Sequence, residues 1–443
     1  MSFSILSNQP RTNRRLPAFS ARCLGGLPRY ALTPWLAALM LLAARLATAQ
    51  EALRTALAGE AAAEARQLQL QSLPYTVKLG DFKLLVVPSL DLDWNDNINI
   101  SKTNAQPDFI LRPQVQLDAS YPITRNNMLS LNVGAGYEQY LEHDQYSTWF
   151  LQSGTELSFD IYVKDFWFNL HDRAQYVQDT SQQPALSGTA NYATINNTAG
   201  LSATWDLNQG TLSAGYDHKN VISTSEQYNS QDSVAEMIFA RAGLDVYSGV
   251  TIGIEGTGAY TTYAQTVLNN NNAYSAGLYA DWELGKYFHI QPRGGYTIIQ
   301  FQHTSQSIQT SDLNSWYADL NLTHKVTDAI DYAFDAGREV QAGIQSDVIE
   351  DWYVRPSLRW NVNQNLNLHA SFSYEHGQQG MGNVTGNLTE TYDWYGTEVG
   401  ASYPILKKVS LGLNYRLTLR SSNIATAEYT QNLVSLTLTY KSQ

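Results

Sequence analysis

The stretch Val409-Ser410-Leu411-Gly412-Leu413-Asn414-Tyr415-Arg416-Leu417-Thr418-Leu419 alternates without a break. Its odd positions are Val, Leu or Tyr, and its even positions are Ser, Gly, Asn, Arg or Thr. Successive side chains of a strand point to opposite faces, so this segment has one apolar and one polar face. The same pattern recurs at Leu366–Tyr374 and Leu129–Tyr137. About 18 such segments follow one another from Lys83 to the carboxyl end, each near the ~10 residues that a tilted strand needs to cross a bilayer. Their connections alternate in length. Val163-Lys164-Asp165, Leu207-Asn208-Gln209 and Leu406-Lys407-Lys408 are short, whereas 178–191, 263–272 and 375–389 are long and polar. Tight turns at one end and long loops at the other are the rhythm of an outer-membrane barrel. The pattern predicts an all-β fold: a transmembrane antiparallel β-barrel of 16–18 strands.

Composition narrows the alternatives. The 443 residues include 28 Tyr and 10 Trp, and only 15% are charged. Acids outnumber bases 40 to 28, and no basic run is present, which argues against a nucleic-acid partner. Only one stretch, Tyr30 to about Ala44, is long and apolar, which excludes a bundle of membrane helices. That stretch follows a basic segment and precedes Ala47-Thr48-Ala49, so residues 1–49 read as a cleaved signal peptide. Without its six basic residues the chain keeps 22 bases against 40 acids, a net of −18. The one cysteine, Cys23, goes with the leader, leaving no disulfide and no thiolate site. The Ala-rich stretch from Gln50 to about Leu73 reads as a short helix. The expected organisation is therefore a leader (1–49), a periplasmic helical segment (50–80) and the barrel (81–443).

Two smaller features accompany the alternation. Ala119-Ser120-Tyr121-Pro122-Ile123 recurs as Ala401-Ser402-Tyr403-Pro404-Ile405, both times before a short turn. A Tyr there fits the interfacial aromatic girdle, and the Pro ends the ladder. Pro88, Pro113, Pro292 and Pro356 fall inside strands, where local bulges are expected.

The opening strand reads Leu84-Leu85-Val86-Val87-Pro88-Ser89-Leu90-Asp91-Leu92-Asp93-Trp94-Asn95-Asp96-Asn97, and the block Phe109–Tyr121 and Leu129–Tyr140 follows. This resembles the putative beta-barrel porin type 2 family of Gram-negative outer-membrane proteins. The resemblance is sharpest over residues 84–175. It implies a porin-like barrel in the outer membrane, in a family with some members associated with exopolysaccharide or protein-sorting loci. It brings no catalytic motif to carry over.

The polar face supplies the candidate functional residues. Alternation turns Arg112, Arg173, Arg241, Arg293, Arg355, Arg359 and Arg416 inward, together with Asp118, Glu255 and Glu398. Such a set either forms a mutually satisfied network that stiffens the wall or lines a charged channel that orients solutes. Gly134, Gly136, Gly215, Gly253 and Gly295 also fall inward, where small residues leave lumen volume or relieve curvature. The eight His are scattered, and no metal, cofactor or catalytic motif is present, so neither enzyme activity nor a cofactor is expected. The leading expectation is a passive aqueous channel for small solutes. A conduit for an exported polysaccharide and a non-conducting structural barrel are the rivals. The expected partners are outer-membrane lipid, lipopolysaccharide and the barrel assembly machinery.

Overall fold

The computed structural model describes residues 75–441 except 179, 286, 303–311, 345 and 381–388. Residues 1–74, which include the expected leader and the expected helix, lie outside the described residues. The strands are β1 (Val77–Leu79), β2 (Phe82–Asn95), β3 (Asp108–Thr124), β4 (Asn127–Tyr140), β5 (Thr148–Val163) and β6 (Phe166–Val177). They continue with β7 (Thr194–Asp206), β8 (Gly210–Ser223), β9 (Ser233–Tyr247), β10 (Val250–Tyr263), β11 (Asn270–Leu284) and β12 (Phe288–Gln302). The last are β13 (Leu313–Lys325), β14 (Ile330–Ala342), β15 (Val348–Asn361), β16 (Asn367–Gly380), β17 (Thr389–Leu406), β18 (Val409–Ser422) and β19 (Tyr429–Tyr440). Each of β2 to β18 pairs antiparallel with its successor, and β19 pairs back onto β2, so 18 strands close the barrel. Closure removes the open edges that a bilayer would not tolerate. β1 is an addition: residues 75–80, expected in the helical segment, instead contain this strand. It pairs with Phe82–Leu84, an edge of β2 that lies beyond the last β19 pair at Thr439 and Ser89.

The short turns gather at one end, and five of them carry a residue at positive φ: Gly80, Lys164, Asn208, Gly249 and Gly285. The start of β2 and the end of β19 lie at that same end. Exposure identifies the faces. Leu413, Leu436 and Leu92 lie directly across from one another on β18, β19 and β2, and all three are exposed, Leu413 at 54%. Alternate residues are buried, down to 0% for Thr418. The apolar face is therefore the outside. Exposed aromatics mark both rims: Tyr121, Trp205, Tyr247 and Tyr403 near the turns, and Trp94, Trp149, Trp316 and Trp352 near the loops.

Both copies of the Ala-Ser-Tyr-Pro-Ile motif shift register at their proline, between Pro122 and Thr124 and between Pro404 and Leu406. The strand-interior prolines behave otherwise than expected. No bulge forms at Pro88, Pro113, Pro292 or Pro356. At the last three, a ladder pair or two drops out and the register continues unchanged. A missing N–H removes a hydrogen bond without requiring an extra residue.

The inward glycines differ from expectation too. Gly136, Gly215, Gly253 and Gly295 stand directly opposite Phe150, Phe239, Tyr279 and Tyr317. Gly337 and Gly377 stand likewise opposite Tyr353 and Tyr392. The ring lies over its glycine, and a Cβ on Gly295 would come within 2.7 Å of Tyr317. These positions do not enlarge the lumen; they seat an interior aromatic.

Candidate channel interior and its crossing loop

The inward charges are paired across strands. Arg112 bridges Asp93 and Glu138, and Arg173 Nε lies 3.4 Å from Glu156. Arg241 Nε lies 3.6 Å from Glu255, which accepts a hydrogen bond from Tyr317 (3.1 Å). Arg293 pairs with Asp319 at 2.8 Å, and the same carboxylate accepts from Tyr353. Arg355 contacts Glu375 at 2.6 Å and Asp335 at 3.8 Å. Near the turns, Arg359 pairs with Asp331 at 2.8 Å, and Glu398 accepts from Asn414 at 2.6 Å with His369 at 3.5 Å. Arg416 stands directly across from Glu398, and Asp118 accepts from Gln116 at 3.1 Å. The fold brings most of these ten residues into separate cross-strand pairs and small clusters. Several guanidinium groups also stack on the glycine-seated rings: Arg241 lies 4.1 Å from the Tyr279 centroid and Arg355 lies 4.3 Å from that of Tyr353.

At the loop end, the segment 180–193 does not stay outside. It leaves β6 and reaches across the lumen. The Pro184 carbonyl accepts from Arg420 Nε (2.8 Å) on β18, and the Ala185 carbonyl accepts from Gln379 Nε2 (3.1 Å) on β16. β16 lies half-way round the ring from β7, so the loop spans the barrel. Its far anchor is well built. The Arg420 side chain is fully buried, pairs with Glu390 at 2.8 Å, donates to the Ala427 carbonyl and stacks on Tyr392. Mid-span, Gly188 N–H donates to the Ile100 carbonyl at 2.9 Å. Leu186 sits in a buried apolar cluster with Ile100, Tyr228, Ile344, Tyr392, Trp394 and Tyr429, drawn from loops and strands around the ring. Near its return, Tyr192 donates to Gln231 at 2.8 Å, and burial pushes the Tyr192 hydroxyl above the usual tyrosine range, which keeps it a neutral donor.

The sequence reads this loop as one of the long polar surface connections. The apolar Pro184-Ala185-Leu186 inside a polar stretch was its only local signal. Arg420 lies just beyond the alternating segment legible in the sequence, which ends at Leu419, whereas β18 continues to Ser422.

The crossing loop leaves a cavity of about 250 Å³ between itself and the β7–β15 wall. Gln183, Lys219, Gln231, Asn271 and Thr297 contribute polar groups to it, and Met237 contributes an apolar surface. A second cavity of about 650 Å³ opens near the turns among His289, Asp331, Arg359 and His369.

A closed barrel with a lipid-facing apolar band, a charged interior and a loop folded across the lumen has the architecture of an outer-membrane channel. The chain belongs to a family with that description: residues 74–442 match the family model Putative beta-barrel porin 2. It is a porin-like β-barrel of the Gram-negative outer membrane. No curated protein matches it. Among solved structures it is similar to the outer membrane protein OpdK from Pseudomonas aeruginosa, at 10% identity over 81% of this chain and 98% of that one, with a TM-score of 0.44. It is also similar to Pseudomonas aeruginosa OccK2 (OpdF) in complex with glucuronate, at 11% identity over 82% and 99%, with a TM-score of 0.47. Acinetobacter baumannii OccAB3 matches at 9% identity over 82% and 99%, with a TM-score of 0.45.

Proposed function

We propose that the barrel is a narrow diffusion channel for small hydrophilic solutes, constricted by residues 180–193. Arg112, Arg173, Arg241, Arg293, Arg355, Arg359, Arg416, Asp118, Glu255 and Glu398 form its charged lining. The observation that carries this reading is the loop anchored on the opposite wall, with a cavity of about 250 Å³ beside it. A space of that size suits one small solute at a time, whereas a polysaccharide strand would require the loop to leave its anchors. Residues 1–49 are the export signal, and 50–80 precede the barrel in the periplasm. Lipopolysaccharide surrounds the barrel, and the barrel assembly machinery inserts it.

Liposome swelling tests the proposal. Vesicles carrying the protein should admit a pentose faster than a trisaccharide. Shortening the loop by removing residues 182–188 should narrow that difference. Equal rates for both sugars in the intact protein would refute a narrow channel.

A further inference from the structure

The outer face of the barrel is not apolar all the way round. On β18, β19, β2, β3 and β4 the lipid-facing positions carry no acidic or basic side chain, as in the rung Leu413, Leu436 and Leu92. On β6 to β9 the same face differs. Asp172 lies mid-strand in β6, directly across from the exposed Leu157. Asn197 of β7 shares a face with the exposed Ile195 and Leu201, and it donates to Asp172 at 2.5 Å. His218 of β8 shares a face with the exposed Tyr216 and Ile222, and Glu236 of β9 with the exposed Val234 and Ile238.

His218 and Glu236 stand directly across from each other. Nδ1 lies 2.9 Å from the carboxylate, which also accepts from the Tyr216 hydroxyl. The two side chains nevertheless stay 39% and 43% exposed. Arg338, Glu350, His376 and Asp393 also face outward, but around Trp352 at the loop rim, where headgroups meet them. An acid or base on the lipid face is costly, and a partner in the same wall leaves its outer side still turned to lipid. Polar groups of a second wall at the same depth would relieve that cost.

From this arrangement we propose that the outer face around β8 and β9 is an interface between two copies of this chain, in which Glu236 of each copy pairs with His218 of the other. A two-fold axis along the membrane normal, passing between β8 and β9, sets β9 of one copy against β8 of the other at equal depth. Acid and base on neighbouring strands are therefore complementary to themselves. Nδ1 of His218 holds the carboxylate of its own chain, which leaves Nε2 for the carboxylate of the other copy. Nearer the turns, Ala203, Ala214, Ala240, Gly256 and Ala276 stand across from one another on β7 to β11, so no bulky side chain holds the walls apart there. Asp172 and Asn197 then border the groove where the two convex walls part. The interface goes beyond the channel reading, since conducting and closed barrels can pair alike.

The test replaces Cys23 by Ser, which leaves a chain without cysteine, and adds either Val234→Cys on β9 or Leu419→Cys on β18, half-way round the ring. Outer membranes are treated with a short bismaleimide, and the folded, heat-modifiable barrel is scored for covalent dimer. Val234→Cys should yield dimer and Leu419→Cys should not. Equal yields, the result expected of a lone barrel ringed by lipid, overturn the interface. Two differently tagged Val234→Cys chains then read the pairing between copies: one also carries Glu236→Lys, the other His218→Glu. Each alone should lose the dimer, because like charges meet across the axis. Co-expressed, they should restore it as the mixed species. A dimer that survives in either chain alone, or a mixed pair that does not form, overturns the pairing of Glu236 with His218. Where a charge variant fails to fold, the comparison of Val234→Cys with Leu419→Cys decides by itself.

Discussion

At the residue scale the interior is built from two pairings, one of which was legible in the sequence. Opposite charges on alternate positions, such as Arg241 and Glu255, could be placed on one face by counting in twos, because alternation alone decides the face. Their partners could not be assigned, because a partner depends on the register of a strand elsewhere in the chain. The same limit hid the glycine–aromatic pairs: Gly295 and Tyr317 are individually unremarkable, and only the β12–β13 register sets one against the other. Gly295→Val should therefore cost about 1–3 kcal/mol through overpacking, read as a lower urea midpoint of the reconstituted barrel. The outer face carries its own prediction. Leu413→Arg should cost about 2–4 kcal/mol if the position lies at the bilayer midplane, and Asn414→Arg on the inner face should cost far less. Equal unfolding costs would mean that the two faces have been exchanged.

At the scale of elements, the strands were readable and the crossing loop was not. Alternation runs through β18 in eleven consecutive residues, so the strand declares itself, and a neighbouring Lys407-Lys408 turn fixes its start. The path of residues 180–193 is set by contacts with Arg420 and Gln379, far along the chain, and no local pattern encodes such an anchor. The prolines show the converse: their place in strands was plain, but whether each forms a bulge or merely drops a bond depends on the neighbouring strand. The loop's anchor can be tested as a unit. Replacing Arg420 and Glu390 together by Gln removes the buried pair without stranding one charge, which alone would cost about 3–5 kcal/mol. The barrel should still assemble, and single-channel current should become larger and noisier as the loop loses its hold. An unchanged current would show that the anchor does not set the constriction.

For the whole molecule, the fold follows from one demand: in lipid every backbone group must find a partner, and a closed ring of 18 strands meets it. The charges on the inner face then set the field inside, where a narrow lumen bounded by low dielectric makes single charges count. Neutralising Arg355 and Arg359 together, as Gln, should move the reversal potential in a salt gradient further toward cation selectivity. Single-channel recording of the refolded protein in a planar bilayer reads conduction through a lumen narrowed by residues 180–193. Discrete current steps should appear and should grow when residues 182–188 are removed. Folded, inserted protein that passes no current with or without those residues would contradict the proposed channel.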